Sequence, residues 1–504
     1  MKILQAAQIR EIDRYTIENE PVASIDLMER AAKKCYEWIR RHMKRKRHVR
    51  VFCGMGNNGG DGLVIARMLA GTGHQVTVYK VQHTARASED YMINEKRLAG
   101  VKNLHYAAIE EGESMPEIAD DDLVIDALLG SGLTRPLEGL LAEVVRHINA
   151  ARAVVIAIDF PSGLFCEDNR ENNEKYIIRA DYTLTFQLPK LAFMFASNEQ
   201  YIGVWYLIDI GLHPEAIRQA ETKHHYLQAS DIRNLYRGRK RFAHKGHFGH
   251  AYLMAGSYGK TGAAVLAARG AVRSGLGLLT VQLPSCGYDV IQTTVPEAMC
   301  VPDEQARFVS EVADLNGYHV VGTGPGIGTH EQTARALKLL IQNTAVPMVL
   351  DADALNILAE NLTWCGFLPK GSVFTPHPGE LDRLAGKSNN DHDRLDKAIE
   401  LAHRFQVHIV LKGAHTVVIA PDGRCFFNST GNPGMATGGS GDVLTGMIVA
   451  WLAQNYSTLH SCLMAVYLHG RAGDLAANRK GHEGLIAGDL IEQIPKATKT
   501  TLRK

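Results

Sequence analysis

From residue 49 to about residue 212, short β-branched apolar runs alternate with stretches of helical period. The apolar runs fall at 49–53, 76–81, 123–128, 154–158, 182–186 and 204–210. Runs of that length, separated by helix-length intervals, predict a parallel sheet with helices on both faces, a Rossmann-like arrangement. Ahead of it, Ser24 is placed to cap a helix carrying Leu27, Met28, Ala31, Ala32, Cys35 and Ile39 on one face. Residues 213–245 lose the rhythm: they hold His213-Pro214, a polar helix-like stretch and the basic run Arg237, Arg239, Lys240, Arg241. The seam is expected near 218–230, giving domains 1–218 and 228–504. Strands resume at 251–255, 278–283, 319–321, 348–350, 372–374 and 407–411. A hairpin is expected next, 416–420 against 424–428, turned at Asp422-Gly423. A helix from Gly441 to about Gln454 follows, so the fold class is α/β in both halves.

Composition narrows the function classes. The 504 residues suit two to three domains. Lys+Arg 55 against Asp+Glu 54 leaves +1, too little field to gather nucleic acid or anionic lipid. A chain 45% hydrophobic and 22% charged is neither disordered nor fibrous. The longest nearly apolar stretch, 443–453, is half of the roughly twenty residues a membrane span needs. Arg10, Glu11, Asp13 and Arg14 interrupt the first residues, so no secretory signal is expected. The eight cysteines lie far apart, without CxxC or zinc-spaced histidines, and read as reduced, mostly buried thiols of a cytoplasmic protein. The run at 40–50 suits a nucleic-acid arm, or, more simply, the end of a helix whose dipole favours cations.

The candidate chemistry sits in glycine-rich segments. Gly54-Met55-Gly56-Asn57-Asn58-Gly59-Gly60-Asp61-Gly62 follows a predicted strand and precedes an apolar helix from Leu63, where amides could reach a phosphate. The second strand ends Tyr79-Lys80-Val81 with no carboxylate, which disfavours an ordinary nicotinamide dehydrogenase. Asp126, the loop Gly130 to Pro136 with Arg135, and Asp159-Phe160-Pro161-Ser162-Gly163 all fall at carboxyl ends of strands, where open sheets bind ligands. Each acid alone also reads as a satisfied turn residue. In the second half, Gly256 to Thr261 misses P-loop spacing because Met254 stands where glycine is needed. Gly322 to Gly328 can bring backbone close to a ligand. Asn432 to Asp442, opening a helix, can cradle a phosphate on glycine amides while Asp442 removes a hydroxyl proton.

These segments resemble a known family. NNGGDG at 57–62, GSGLTRP at 130–136 and DFPSG at 159–163 resemble the NAD(P)H-hydrate epimerase domain. HKGxxGH at 244–250, GxGPGIG at 322–328, HPGE at 377–380, KGAHT at 412–416 and GGSGD at 438–442 resemble the ribokinase-like NAD(P)H-hydrate dehydratase domain. The resemblance implies a bifunctional enzyme. It would interconvert the C6 epimers of hydrated NADH and NADPH (NADHX, NADPHX) and dehydrate the S epimer, turning ADP into AMP and phosphate. It implies that Asn57, Asn58, Gly59, Gly60, Asp61, Gly130, Ser131, Gly132, Leu133, Thr134, Arg135, Pro136 and Asp159 contact the hydrate, with Asn58, Asp126 and Ser162 on potassium. In the second half it implies hydrate contacts from Ala263, Gly326, His377 and Asp442. Nucleotide, with Mg2+, falls to Lys412, Gly413, Ala414, His415, Thr416 and Gly441. Asp442 and Asp159 are the expected catalytic acid–base groups, and Lys190 is either a helper or a surface lysine. A homo-oligomer is expected. The alternatives are a small-alcohol kinase with an accessory nucleotide-sensing domain, and a first half that only senses the hydrate.

Overall fold

A computed structural model describes residues 1–43 and 47–502. The chain divides into two compact units, Lys2–Thr222 and Lys223–Lys504, the second including Met1.

The first unit is built on seven strands: β1 (Val49–Cys53), β2 (Val76–Val81), β3 (Leu104–Ile109), β4 (Leu123–Ala127), β5 (Val154–Ile158), β6 (Tyr182–Phe186) and β7 (Val204–Ile208). All neighbours pair parallel, in the order 3-2-1-4-5-6-7. Strand order therefore reverses between β1 and β4, which opens a crevice at their carboxyl ends. The sequence pattern misses β3 because that edge strand is mostly half-exposed and carries His105.

The helix Ser24–His42 buries the expected face and adds Trp38. Ser24 does not cap it. The cap position is Ala23, and Ser24 Oγ donates instead to Asp90 Oδ2 at 2.5 Å. Arg40, Arg41 and His42 of the basic run lie in its last turn, whereas 44–46 fall outside the described residues.

The next helix runs Asn57–Gly71, so the NNGGDG segment expected as loop is its first turns. The glycines are there because the helix lies against its neighbours with no room for side chains. A Cβ on Gly59 would stand 1.8 Å from Gly54 O, and one on Gly62 would stand 2.5 Å from Ala127 Cβ.

The second unit carries β8 (His224–Tyr226), β9 (His250–Met254), β10 (Leu278–Pro284), β11 (Met299–Asp303), β12 (Val320–Thr323), β13 (Met348–Leu350), β14 (Val373–Phe374), β15 (His408–Leu411), β16 (Val417–Ile419) and β17 (Cys425–Phe427). Their order is 11-10-9-12-13-14-15-16-17-8, with the reversal between β9 and β12. The expected hairpin is present as β16–β17, pairing antiparallel around Gly423 at φ +83°, and β15 pairs antiparallel with β16 on the other side. β8 and β11 are short or partly exposed and were not legible from periodicity.

The helix Ser440–Ala453 is buried from Val443 onward, which explains its apolar character all round. It crosses the helix Thr261–Arg273 at backbone distance. A Cβ on Gly446 would fall 1.9 Å from Ala267 O, and one on Gly270 would fall 2.7 Å from Val443 O. All eight cysteines are free, six of them buried. No helix among the described residues is long and apolar enough to cross a membrane.

Two substitutions in one helix separate packing from propensity. Gly62→Ala forces a methyl onto Ala127 Cβ and Cys53 Sγ, whereas Gly71 faces open space. Chemical denaturation should show Gly62→Ala destabilised by about 1–3 kcal/mol, and Gly71→Ala unchanged or slightly stabilised. Equal stability of the two variants would contradict the close helix–sheet approach.

Candidate functional sites

In the first unit the glycine loops and acids meet above the β1–β4 crevice. Gly130 lies against Asn58 and Asp159: a Cβ there would stand 3.5 Å from Asn58 Cβ and from Asp159 Oδ2. Asn58 is buried, and neither its Oδ1 nor its Nδ2 has a hydrogen-bond partner; Asp61 Oδ1 is likewise unpartnered. Asp126, fully buried at the end of β4, accepts from Ser162 Oγ at 2.6 Å and from Ser162 N at 2.8 Å. Burial pushes its pKa up to about 6 against those bonds.

Asp159 follows β5 at φ +59°, a conformation non-glycine residues adopt at a cost. Its Oδ1 accepts from Lys190 Nζ at 3.1 Å and from Phe186 N at 3.2 Å. Lys190 is 1% exposed, so the surface-lysine alternative is wrong. Its ammonium also reaches Thr185 Oγ1 and the carbonyls of Phe186 and Leu188 at 2.9–3.1 Å. Asn57, Thr134, Arg135 and Pro136 are exposed.

The helix Ala6–Asn19 adds two residues that sequence reasoning missed. A Cβ on Gly132 would stand 3.1 Å from Arg10 Nη1, which puts Arg10 beside the 130–136 loop. Asp13 is raised to about 6 by burial and by the charge of Asp159, with Lys190 opposing. Burial, then Asp159, Asp13 and Asp90, push Asp61 well above the usual carboxylate range. No motif flags Asp13; only its i+3 relation to Arg10 on one helix face could have done so.

In the second unit, consecutive carboxyl ends deliver the groups. After β13 comes Asp351, after β14 His377 and after β15 Lys412. Lys412 Nζ donates to Asp351 Oδ1 at 2.8 Å and lies 3.7 Å from Glu380 Oε2. Thr445 Oγ1 holds the other Asp351 oxygen at 2.7 Å. A Cβ on Gly441 would be 3.5 Å from Lys412 Nζ, so the ammonium sits at the start of the helix Ser440–Ala453. Burial opposes charge on Lys412, but Asp351, Glu380 and Asp442 together raise its pKa.

Asp442 lies in the first turn of that helix, capped by Gly439 at φ +88° and not by Asp442. Burial, then Asp351, push Asp442 up to about 7 against Lys412. His377 Nδ1 accepts from Gly379 N at 3.0 Å and Glu380 N at 3.3 Å, capping the helix Pro378–Ala385. Ala263 and Gly326 come together across the β9–β12 reversal, where a Cβ on Gly326 would stand 3.0 Å from Ala263 Cβ. Beside them Lys260 Nζ reaches Asp353 Oδ2 at 3.2 Å. Gly413 and Ala414 are exposed, and Thr416 Oγ1 closes their turn on Gly413 O at 2.9 Å. The sequence reading missed Asp351 and Asp353, which stand in an ordinary-looking Asp-Ala-Asp after a short strand.

Comparison with known proteins gives two family models, NAD(P)H-hydrate dehydratase over residues 251–496 and YjeF-related protein N-terminus over 24–192. A bifunctional NAD(P)H-hydrate repair enzyme of Moorella thermoacetica is 36% identical over 515 residues, covering 98% of this chain and 96% of that protein. Its counterpart in Thermofilum pendens is 34% identical, covering 99% and 96%. A ribokinase-like superfamily protein of Enterococcus faecalis is similar in structure, with TM-score 0.50 and 26% identity over 56% of this chain and 99% of that one. With both domain types present in one chain, and relatives matched along nearly their whole length, the chain belongs to the family of bifunctional NAD(P)H-hydrate repair enzymes.

Proposed function

We propose that residues 1–218 epimerise NADHX and NADPHX at C6, and that residues 228–504 dehydrate the S epimer at the expense of ADP. The observation that carries this reading is Asp442, held near neutrality beside Lys412 at a glycine-lined helix N-terminus. Hydroxide leaves poorly, so the nucleotide supplies a phosphoryl group to the C6 oxygen; the ring nitrogen then expels phosphate, and loss of a proton from C5 restores the double bond. Asp442 takes the hydroxyl proton. Amides of Gly438 to Gly441 and the Lys412 ammonium stabilise charge on the transferring phosphoryl. Lys412 is oriented by Asp351, which Thr445 in turn holds. Lys412 to Thr416 bind the nucleotide, while Ala263, Gly326 and His377 position the hydrate. Repulsion from Asp351 and Asp353 on Asp442 is what a divalent cation arriving with the nucleotide would offset, so magnesium fits the donor set.

In the first unit Asp159 is the acid–base group at C6: it takes the hydroxyl proton as the C6–N1 bond opens to the aldehyde and returns it as the ring recloses on the other face, while Lys190 Nζ holds the carboxylate in place at 3.1 Å. Asp13, with its pKa near 6, can hold a proton close to neutral pH. Asn57 to Asp61 and Gly130 to Pro136 bind the hydrate. Potassium would neutralise charge among Asn58, Asp126 and Ser162. The buried, unpartnered Asn58 Oδ1 and the oxygen-only donor set fit such a hard cation.

Separated fragments test the division of labour. A fragment beginning at 228 would lack β8, so the pair to make is 1–222 and 223–504. The first should equilibrate mixed hydrate epimers. The second, given ADP, should recover reduced-nicotinamide absorbance from one epimer only. Two folded fragments that each fail alone would refute it. Replacing potassium by a bulky organic cation should depress epimerisation and leave dehydration unchanged; an equal epimerisation rate would remove the potassium site.

Asp442→Asn should lower dehydration roughly 100- to 10,000-fold with nucleotide affinity and epimerisation retained. Because the base acts deprotonated, wild-type kcat/KM should rise with pH through about 7 and level off above it. The variant should lose that limb. A folded variant keeping more than about a tenth of the rate would exclude Asp442 as the base.

A further inference from the structure

The second unit contains a cavity of about 830 Å3 away from Asp442, at the far end of the helix Ser440–Ala453. Trp451 and Gln454 line it, on the order of 18 Å along the helix from Asp442 at 1.5 Å per residue. Its wall carries the basic residues Arg237, Arg239, Lys240, Arg273 and Lys499 and no aspartate or glutamate.

Two of these cations have structural work. Arg237 Nη2 donates to Asn455 O at 2.7 Å, with its guanidinium 4.1 Å over the Tyr456 ring. Arg239 bonds Gly275 O and lies 3.8 Å over Phe248. Both satisfy carbonyls just past helix ends, where cations belong. Among the described residues, Lys240, Arg273 and Lys499 have no carboxylate in the wall to pair with. Three unneutralised charges around one concavity are an unfavourable arrangement unless an anion enters it.

A second, independent observation points to a ligand with a planar group. Phe242, 93% exposed in the same wall, offers a free aromatic face.

We propose that this cavity is a second nucleotide site, taking a small ligand with a planar base and a di- or triphosphate. The phosphates lie among Lys240, Arg273 and Lys499, and the base stacks on Phe242. The volume falls within the range of small-molecule sites. A concave wall with aromatic faces suits such a ligand better than the flat acidic surface of a second chain. The site is separate from Lys412 to Thr416 and does not depend on the activity assigned there.

Calorimetric titration of the full chain with ADP tests it. The wild type should show two sites per chain below about 1 mM, one of which survives Lys412→Ala. The triple variant Lys240→Ala/Arg273→Ala/Lys499→Ala should keep one site and its dehydratase kcat, and lose at least about tenfold in affinity at the other. Should the triple variant unfold, Lys499→Ala and Lys240→Ala singly should each weaken the second site several-fold at unchanged Tm. Pyrophosphate should bind there more weakly than ADP; equal affinity would refute the aromatic half of the proposal. One ADP site in the wild type, or a second site indifferent to these changes, overturns it. So does self-association that the triple variant abolishes without any second ADP site.

Discussion

Backbone-to-backbone contact between a helix and its neighbours is the constraint on which both sites rest. In the first unit Gly59 and Gly62 let the helix Asn57–Gly71 lie against Gly54 and Ala127. In the second, Gly446 and Gly270 let the helices Ser440–Ala453 and Thr261–Arg273 touch. In each case the helix N-terminus, with its unbonded amides, is drawn down to the carboxyl edge of the sheet. That edge is where strand order reverses and where a ligand can enter. The glycines thus serve the ligand indirectly, by fixing where the amides stand.

Once the helices are seated, electrostatics at the two edges follow one scheme. A single buried or half-buried lysine stands among several carboxylates: Lys190 with Asp159, Asp13 and Asp61, and Lys412 with Asp351, Glu380 and Asp442. One ammonium cannot neutralise three acids. The ammonium bonds one acid directly, and the pKa of another is pushed up, to about 6 at Asp13 and about 7 at Asp442. A proton-carrying group at physiological pH is thereby made from an ordinary aspartate by arrangement alone.

Much of this was legible in the sequence, for physical reasons. Largely buried parallel strands such as β4 and β5 are near-continuous apolar runs, and their ends name the acids Asp126 and Asp159. Edge and half-exposed strands β3, β8 and β11 lack that signal, because one face meets water. The segment 57–62 was misread as loop because glycine carries two meanings, conformational freedom and absence of bulk, and here the second applies. Asp13 and Asp351 were invisible because their importance comes from what surrounds them in space. Lys190 could be sorted from surface lysines only by its burial.

Asp159 carries one more implication. At φ +59° its backbone would be more comfortable as glycine, by about 1 kcal/mol or more. Glycine would nonetheless leave the buried Lys190 ammonium without its ion-pair partner, a loss of about 3–5 kcal/mol that outweighs the backbone relief. The strained turn is thus held by the lysine beneath it, and neither residue can change without the other.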